Sequence, residues 1–144
     1  MDKSALIFCD IMNEKATGEV TLKEVLVIDD EDYILDILRL VISRLGYSVR
    51  AVSDGEEAIK LISNGNFWAI FCDLMMPGID GLEIYEKISD LRPGLKDRFV
   101  LLTGTVFDKK TKDFIEKCGI RTLLKPFKFE DVNEIIKELE KAYD

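Results

Sequence analysis

The sequence predicts an α/β fold: an open, doubly wound, mostly parallel sheet of five strands in a three-layer αβα sandwich. Three observations carry this. From Glu24 onward, apolar β-branched runs alternate with helix-period stretches, and such alternation builds βαβ crossovers. The runs are apolar throughout rather than every second residue, as suits strands covered on both faces. Five such runs in a chain of 144 residues fit an open sheet and are too few for an eight-stranded barrel.

The elements follow in order. Val25-Leu26-Val27-Ile28 is the first strand and ends in Asp29-Asp30-Glu31-Asp32. Ile34, Ile37, Leu38, Val41, Ile42 and Leu45 recur on one helical face, which Gly46 stops. Tyr47 to Val52 is the second strand. Asp54-Gly55-Glu56-Glu57 has capping-box spacing, and Ala58, Ile59 and Ile62 give that helix its buried side. Phe67 to Cys72 is the third strand and again ends on an acid, Asp73. Pro77 and Gly78 make Leu74 to Asp80 a loop. Ile84, Ile88 and Leu91 mark a helix from Gly81, closed by Arg92-Pro93-Gly94. Phe99 to Leu102 is the fourth strand, ending at Thr103. A short helix carries Phe114, Ile115 and Cys118 and stops at Gly119. Thr122 to Leu124 is the fifth strand, followed by Lys125-Pro126. Val132, Ile135, Ile136, Leu139 and Tyr143 belong to the last helix.

Residues 1–23 lack a clear period. They form a separate N-terminal arm, in which Ala5 to Met12 reads as one extra strand, and the main domain runs over 24–144. The arm's apolar patch is cut short by Asp10, so it is neither a signal segment nor a membrane span.

Charge narrows the function. With 20 Lys+Arg against 28 Asp+Glu the net charge is −8. No basic stripe is left to neutralise nucleic-acid phosphates or an anionic membrane. The chain has no His, which removes imidazole bases, Ser-His and Cys-His pairs and His-ligated zinc. Cys9, Cys72 and Cys118 are scattered and form no CxxC pair, so they read as reduced thiols of a cytoplasmic protein.

In an open α/β sheet the reactive edge lies at the carboxyl ends of the strands. Asp29, Asp30, Asp73, Thr103 and Lys125 all fall there. Each alone has a plain reading: a helix cap, a loop hydroxyl, a turn. Together they bring three carboxylates to one edge, where each pair costs on the order of several kcal/mol when partly desolvated. Lys125 offsets one charge, and an all-oxygen site without His or Cys suits Mg²⁺ for the rest. Neither GxGxxG nor GxxxxGK[ST] is present. The set suits a carboxylate nucleophile: Asp73 attacks a phosphoryl group, Mg²⁺ neutralises its oxygens, and Lys125 and Thr103 hold the product.

The stretches Val25-Leu26-Val27-Ile28-Asp29-Asp30-Glu31, Asp73-Leu74-Met75-Met76-Pro77-Gly78-Ile79-Asp80-Gly81, Leu101-Leu102-Thr103-Gly104 and Leu124-Lys125-Pro126-Phe127 resemble the receiver domain of two-component response regulators. The resemblance covers Glu24 to Tyr143. It implies a flavodoxin-like sheet of order 2-1-3-4-5 with Asp73 as phosphoacceptor. It implies Asp30, Asp29, Asp73 and the backbone carbonyl of Met75 as Mg²⁺ ligands, Thr103 as switch hydroxyl, Lys125 as ion-pair partner, and a cis peptide before Pro126. The expected partners are a histidine kinase or histidine phosphotransfer protein, because the donor histidine must lie on another chain, plus an unidentified output partner. Self-catalysed phosphorylation and dephosphorylation aside, the resemblance implies no enzyme. The last three elements form partner or homodimer surfaces in relatives. The Leu91 to Arg98 stretch, with the Thr103 and Lys125 motifs, is more similar to receivers fused to sensor histidine kinases.

One position departs from the pattern. Receivers usually carry Tyr or Phe three residues before the lysine, and here Thr122 stands there. A ring that sweeps in and out of a pocket is therefore missing from the switch. This leaves open a pseudo-receiver, an interaction module that works without phosphate. A phosphatase with an Asp nucleophile is disfavoured, since Met75 stands where its general acid would be.

Overall fold

The computed structural model describes residues 22–104 and 108–143. The extra strand expected over Ala5 to Met12 lies outside the described residues. Five strands, β1 (Glu24–Ile28), β2 (Ser48–Val52), β3 (Ala69–Asp73), β4 (Phe99–Thr103) and β5 (Arg121–Leu124), form one sheet in the order β2-β1-β3-β4-β5. Every neighbouring pair is parallel. The helices are α1 (Asp32–Arg44), α2 (Gly55–Asn64), α3 (Gly81–Leu91), α4 (Lys109–Cys118) and α5 (Phe129–Tyr143). The doubly wound fold and the strand order match the expectation.

The apolar runs become buried strands because successive side chains point to opposite faces and both faces are covered. Val25, Val27, Ala69, Phe71, Val100 and Leu102 pack on one face with α1 and α5. Leu26, Ile28, Ile70, Cys72, Phe99 and Leu101 pack on the other with α2, α3 and α4. Leu38, Ile62, Ile84 and Leu139 are fully buried where these helices seat. Each such side chain contributes roughly 2 kcal/mol of apolar burial.

Local signals set the helix ends. Asp80 and Glu83 form the reciprocal capping box that starts α3, with Asp80 accepting from the Glu83 N–H at 2.9 Å. Asp108 accepts from the Thr111 N–H at 2.7 Å, which starts α4 and holds the Asp108 carboxyl below its ordinary range. Gly119, at φ +66°, closes α4 in the left-handed conformation.

The structure corrects several boundaries and faces. Ile37 was expected on the buried face of α1 and is 41% exposed; the wider apolar stripe of that helix exceeds what the sheet can cover. Pro93–Arg98 is a 3-10 helix rather than a plain stop, with Leu95 buried against the sheet. Tyr47 and Phe67 are buried but precede the ladder hydrogen bonds, so β2 and β3 start later than their apolar runs.

Candidate functional site

Parallel strands run their carboxyl ends to one edge, and four of them deliver the polar residues there. The last residue of β3 is Asp73, and β1 is followed directly by Asp29, Asp30 and Glu31. The β1–β3 register pairs Ile28 with Cys72, so Asp29 and Asp73 emerge side by side. Asp29, Asp30 and Asp73 each place a carboxylate oxygen within 4.8 Å of the other two. Asp29 is fully buried, Asp73 nearly so, and Asp30 is exposed.

Lys125 follows β5 and reaches across the edge. Its Nζ lies 2.8 Å from Asp29 Oδ2, 3.3 Å from Glu31 Oε1 and 3.4 Å from Asp73 Oδ1. Three carboxylates thus share one ammonium. Asp29 Oδ1 accepts the Glu31 N–H at 2.9 Å, and Asp73 Oδ1 accepts the Met75 N–H at 3.4 Å. Asp29 Oδ2, despite the ion pair, has no aligned hydrogen-bond donor. Negative charge in excess of the one ammonium, on clustered hard oxygen donors, fits a small divalent cation.

The electrostatics follow from this crowding. Burial, then repulsion from Asp29, pushes the Asp73 carboxyl up to about 6, against the pull of Lys125 and the Met75 N–H. Burial pulls the Lys125 ammonium down, but Asp29, Asp73 and Glu31 outweigh it and raise it to about 12. Burial beside Asp73 and Asp29 pushes the Cys72 thiol well up, so it stays protonated.

The remaining expected residues are placed as follows. Thr103 ends β4, buried at the same edge, and its carbonyl accepts the Lys125 N–H at 2.6 Å. Met75 is 74% exposed at the mouth of the site. Thr122 is apart from it: exposed on β5, it pairs with Leu101 and lines a groove of about 390 Å³ with Leu124, Pro126, Asp131 and Glu134. The Lys125-Pro126 peptide is cis, as the resemblance implies. Gly81 gives α3 its close approach: an added Cβ would meet the Asp73 carbonyl oxygen at 2.6 Å.

The residue that the site constellation missed is Glu31. Its signal was the acidic run after β1, but a run of acids does not say which member turns toward a lysine far along the chain.

Comparison with known proteins agrees with this geometry. Residues 25–137 match the family described as response regulator receiver domain. The chain is 29% identical over 116 residues to the transcriptional regulatory protein SrrA of Staphylococcus aureus, covering 81% of this chain and 47% of that one. It thus spans about half the length of the curated relatives it matches. Among solved structures, a CheY-like response regulator receiver domain protein from Methanospirillum hungatei superposes with a TM-score of 0.76 at 30% identity, over 84% of this chain and 96% of that one. The response regulator TrrA of Thermotoga maritima, solved in complex with Mg²⁺-BeF, superposes with a TM-score of 0.71 at 30% identity, over 82% and 99% of the two chains. No helix among the described residues is long and apolar enough to cross a membrane. With the family pattern matched over most of its length, the chain belongs to the response regulator receiver domains.

Proposed function

We propose that Asp73 accepts a phosphoryl group from a phosphohistidine on another chain and that the aspartyl phosphate controls a partner protein. The observation that supports this most directly is the convergence of Asp29, Asp30, Asp73 and Lys125 on one strand edge. A structural role would not gather three carboxylates around one ammonium with a fourth, Asp30, beside them.

In this reading Asp29, Asp30, Asp73 and the Met75 carbonyl hold Mg²⁺. When bound, Mg²⁺ would supply positive charge for the oxygens of the incoming phosphoryl group. An Asp73 oxygen attacks phosphorus; the new P–O bond forms as the donor's P–N bond breaks, and the imidazole leaves with that electron pair. Lys125 pairs with a phosphoryl oxygen, and the Thr103 hydroxyl donates to another. Later attack by water on phosphorus releases phosphate and restores the Asp73 carboxylate. This chain needs no general base of its own.

A protein donor also has room to dock. Tyr33, Ile37 and Leu40 lie at i, i+4 and i+7 on α1, and all three are exposed, by 60%, 41% and 53%. This apolar stripe starts beside the acidic edge, where a helix-borne histidine could reach Asp73. The output surface is left to the β5–α5 side, where Thr122 stands in place of a ring.

The test is intact mass after incubation with acetyl phosphate and Mg²⁺. Wild type gains one phosphoryl group, and Asp73→Asn gains none. Uptake by Asp73→Asn equal to wild type would remove Asp73 from the role. No uptake by wild type with Mg²⁺ bound would establish the pseudo-receiver reading instead.

A further inference from the structure

We infer that residues 5–12, the apolar segment of the N-terminal arm, dock in a basic groove at the amino ends of the strands, on the side of the domain opposite the acidic edge. Such docking is independent of whether Asp73 accepts phosphate.

The segment has the sequence of a buried strand. Ile7-Phe8-Cys9-Asp10 repeats Ile70-Phe71-Cys72-Asp73 residue for residue, and Met12 corresponds to Met75. In β3 every residue from Ala69 to Asp73 is buried. A repeat of such a run left in water would be an exposed apolar patch, which folded domains cover. β3 keeps its own place between β1 and β4, so the repeat needs cover elsewhere.

The groove begins where the arm joins the domain. Leu22, Lys23 and Glu24 line its first part, of about 240 Å³, with Phe67 and Trp68. A second part, of about 370 Å³, shares Asn66, Phe67 and Arg98 with the first and continues past Leu91, Arg92 and Pro93. Leu91 is 46% exposed, and a Cβ added at Gly94 would meet nothing within 4 Å. Residues 13–21 span roughly 30 Å when extended, which lets the segment fold back over either part. A tethered segment meets the groove at an effective concentration on the order of millimolar, ahead of a free partner.

Charge selects this groove over two others. Its ionisable residues are Lys23, Arg92 and Arg98 against Glu24, and Glu24 is paired with Arg50. Arg92 and Arg98 donate to the main-chain carbonyls of Ile62, Ser63 and Trp68, which leaves their positive charge unneutralised. Residues 1–21 carry Asp2, Asp10, Glu14 and Glu19 against Lys3 and Lys15. An acidic segment is drawn to such a rim. The groove beside Thr122 is walled by Asp131 and Glu134 and would repel it. The groove between α3 and α4 sets Lys110 and Lys117 against Glu86 and Asp113, and offers it no net attraction.

The test is paramagnetic broadening in the full chain. A nitroxide is attached at Asn13→Cys, next to the segment, in a background of Cys9→Ser and Cys118→Ser. The buried Cys72 thiol does not take the label. Cys118 is exposed, and the other two changes lie in the arm. Docking should erase the amide signals of Asn66 and Gly94 and leave those of Asp30 and Met75 intact. Phe8→Asp, which puts a charge into the apolar run, should restore the Gly94 signal. Retention of all signals in the labelled chain would overturn the inference, as would broadening centred on Thr122 and Glu134. Persistent loss of the Gly94 signal in Phe8→Asp would overturn it as well, because the tether rather than the apolar run would then hold the label near. An isotope-enriched chain without nitroxide, mixed with an equal amount of unenriched spin-labelled chain, should keep its Asn66 and Gly94 signals. Their loss would assign the segment to a second copy and overturn docking within one chain.

Discussion

The two edges of the sheet treat charge in opposite ways. At the amino-side edge four arginines are matched where they stand. Arg98 donates to the Trp68 carbonyl and lies over the Tyr143 ring at 5.4 Å. Arg92 donates to the carbonyls of Ile62 and Ser63 at the end of α2. Arg50 pairs with Glu24 and lies over Phe67, and Arg121 reaches the Asp97 carbonyl and Glu138. At the carboxyl edge the Lys125 ammonium is shared by Asp29, Glu31 and Asp73, with Asp30 beside them. The amino side shows charge used for holding, where the partners close the account. The carboxyl side shows charge held in excess, at a cost to stability, which is the pattern of a site awaiting a ligand.

Substitutions can break or sharpen this contrast. The largest effect is expected at Asp73. Its carboxyl is raised from an ordinary 3.8 to about 6, so the ionised form is the one the fold disfavours. The penalty is absent below about pH 4 and complete above about pH 6, amounting to about 3 kcal/mol. Asp73→Asn should therefore raise stability to urea by that order at pH 7.5, and the gain should vanish as pH falls below about 4. Addition of Mg²⁺ should stabilise wild type and leave Asp73→Asn nearly unchanged. A neutral or destabilising result at pH 7.5 would contradict the picture of unrelieved charge.

Next is Gly81→Ala. Its Cβ would meet the Asp73 carbonyl oxygen at 2.6 Å and Leu74 Cα at 3.0 Å. These are backbone atoms and cannot swing aside, so a loss of about 2 kcal/mol is expected in urea unfolding. Phosphate uptake should slow in the same variant, because the displaced backbone carries Asp73, the proposed acceptor.

At the other edge Arg98→Met should cost about 1 kcal/mol through the lost carbonyl hydrogen bond and ring contact. Mg²⁺ affinity should be unaffected. The smallest effect belongs to Arg50→Ala, at most about 0.5 kcal/mol, since the Arg50–Glu24 pair is largely solvated. If either amino-side variant changed Mg²⁺ binding, the separation of the two edges would fail.

The fold was legible because each strand is an unbroken apolar run and each helix carries a periodic face. The site was legible because four strand ends carry acids, a hydroxyl or a lysine, and the parallel topology gathers strand ends. What stayed hidden depends on contacts between distant segments. The Lys125–Glu31 hydrogen bond joins residues 94 positions apart, and no local pattern distinguishes Glu31 from its acidic neighbours. Ile37 fits the helical period of α1 as well as Leu38 does. Its exposure is decided by how wide a strip the sheet can cover. Tyr47 and Phe67 are apolar and next to strands, yet they lie outside the ladder, which side-chain chemistry does not reveal.

The hydrogen bond from the Lys125 N–H to the Thr103 carbonyl, at 2.6 Å, gives the carboxyl edge a mechanical linkage. Thr103 and Leu124 are register partners, so the bond continues the ladder by one rung past β5. Thr103 at the end of β4 and Lys125 after β5 are thereby yoked through their main chains. A shift of either strand end therefore pulls on the other through this bond.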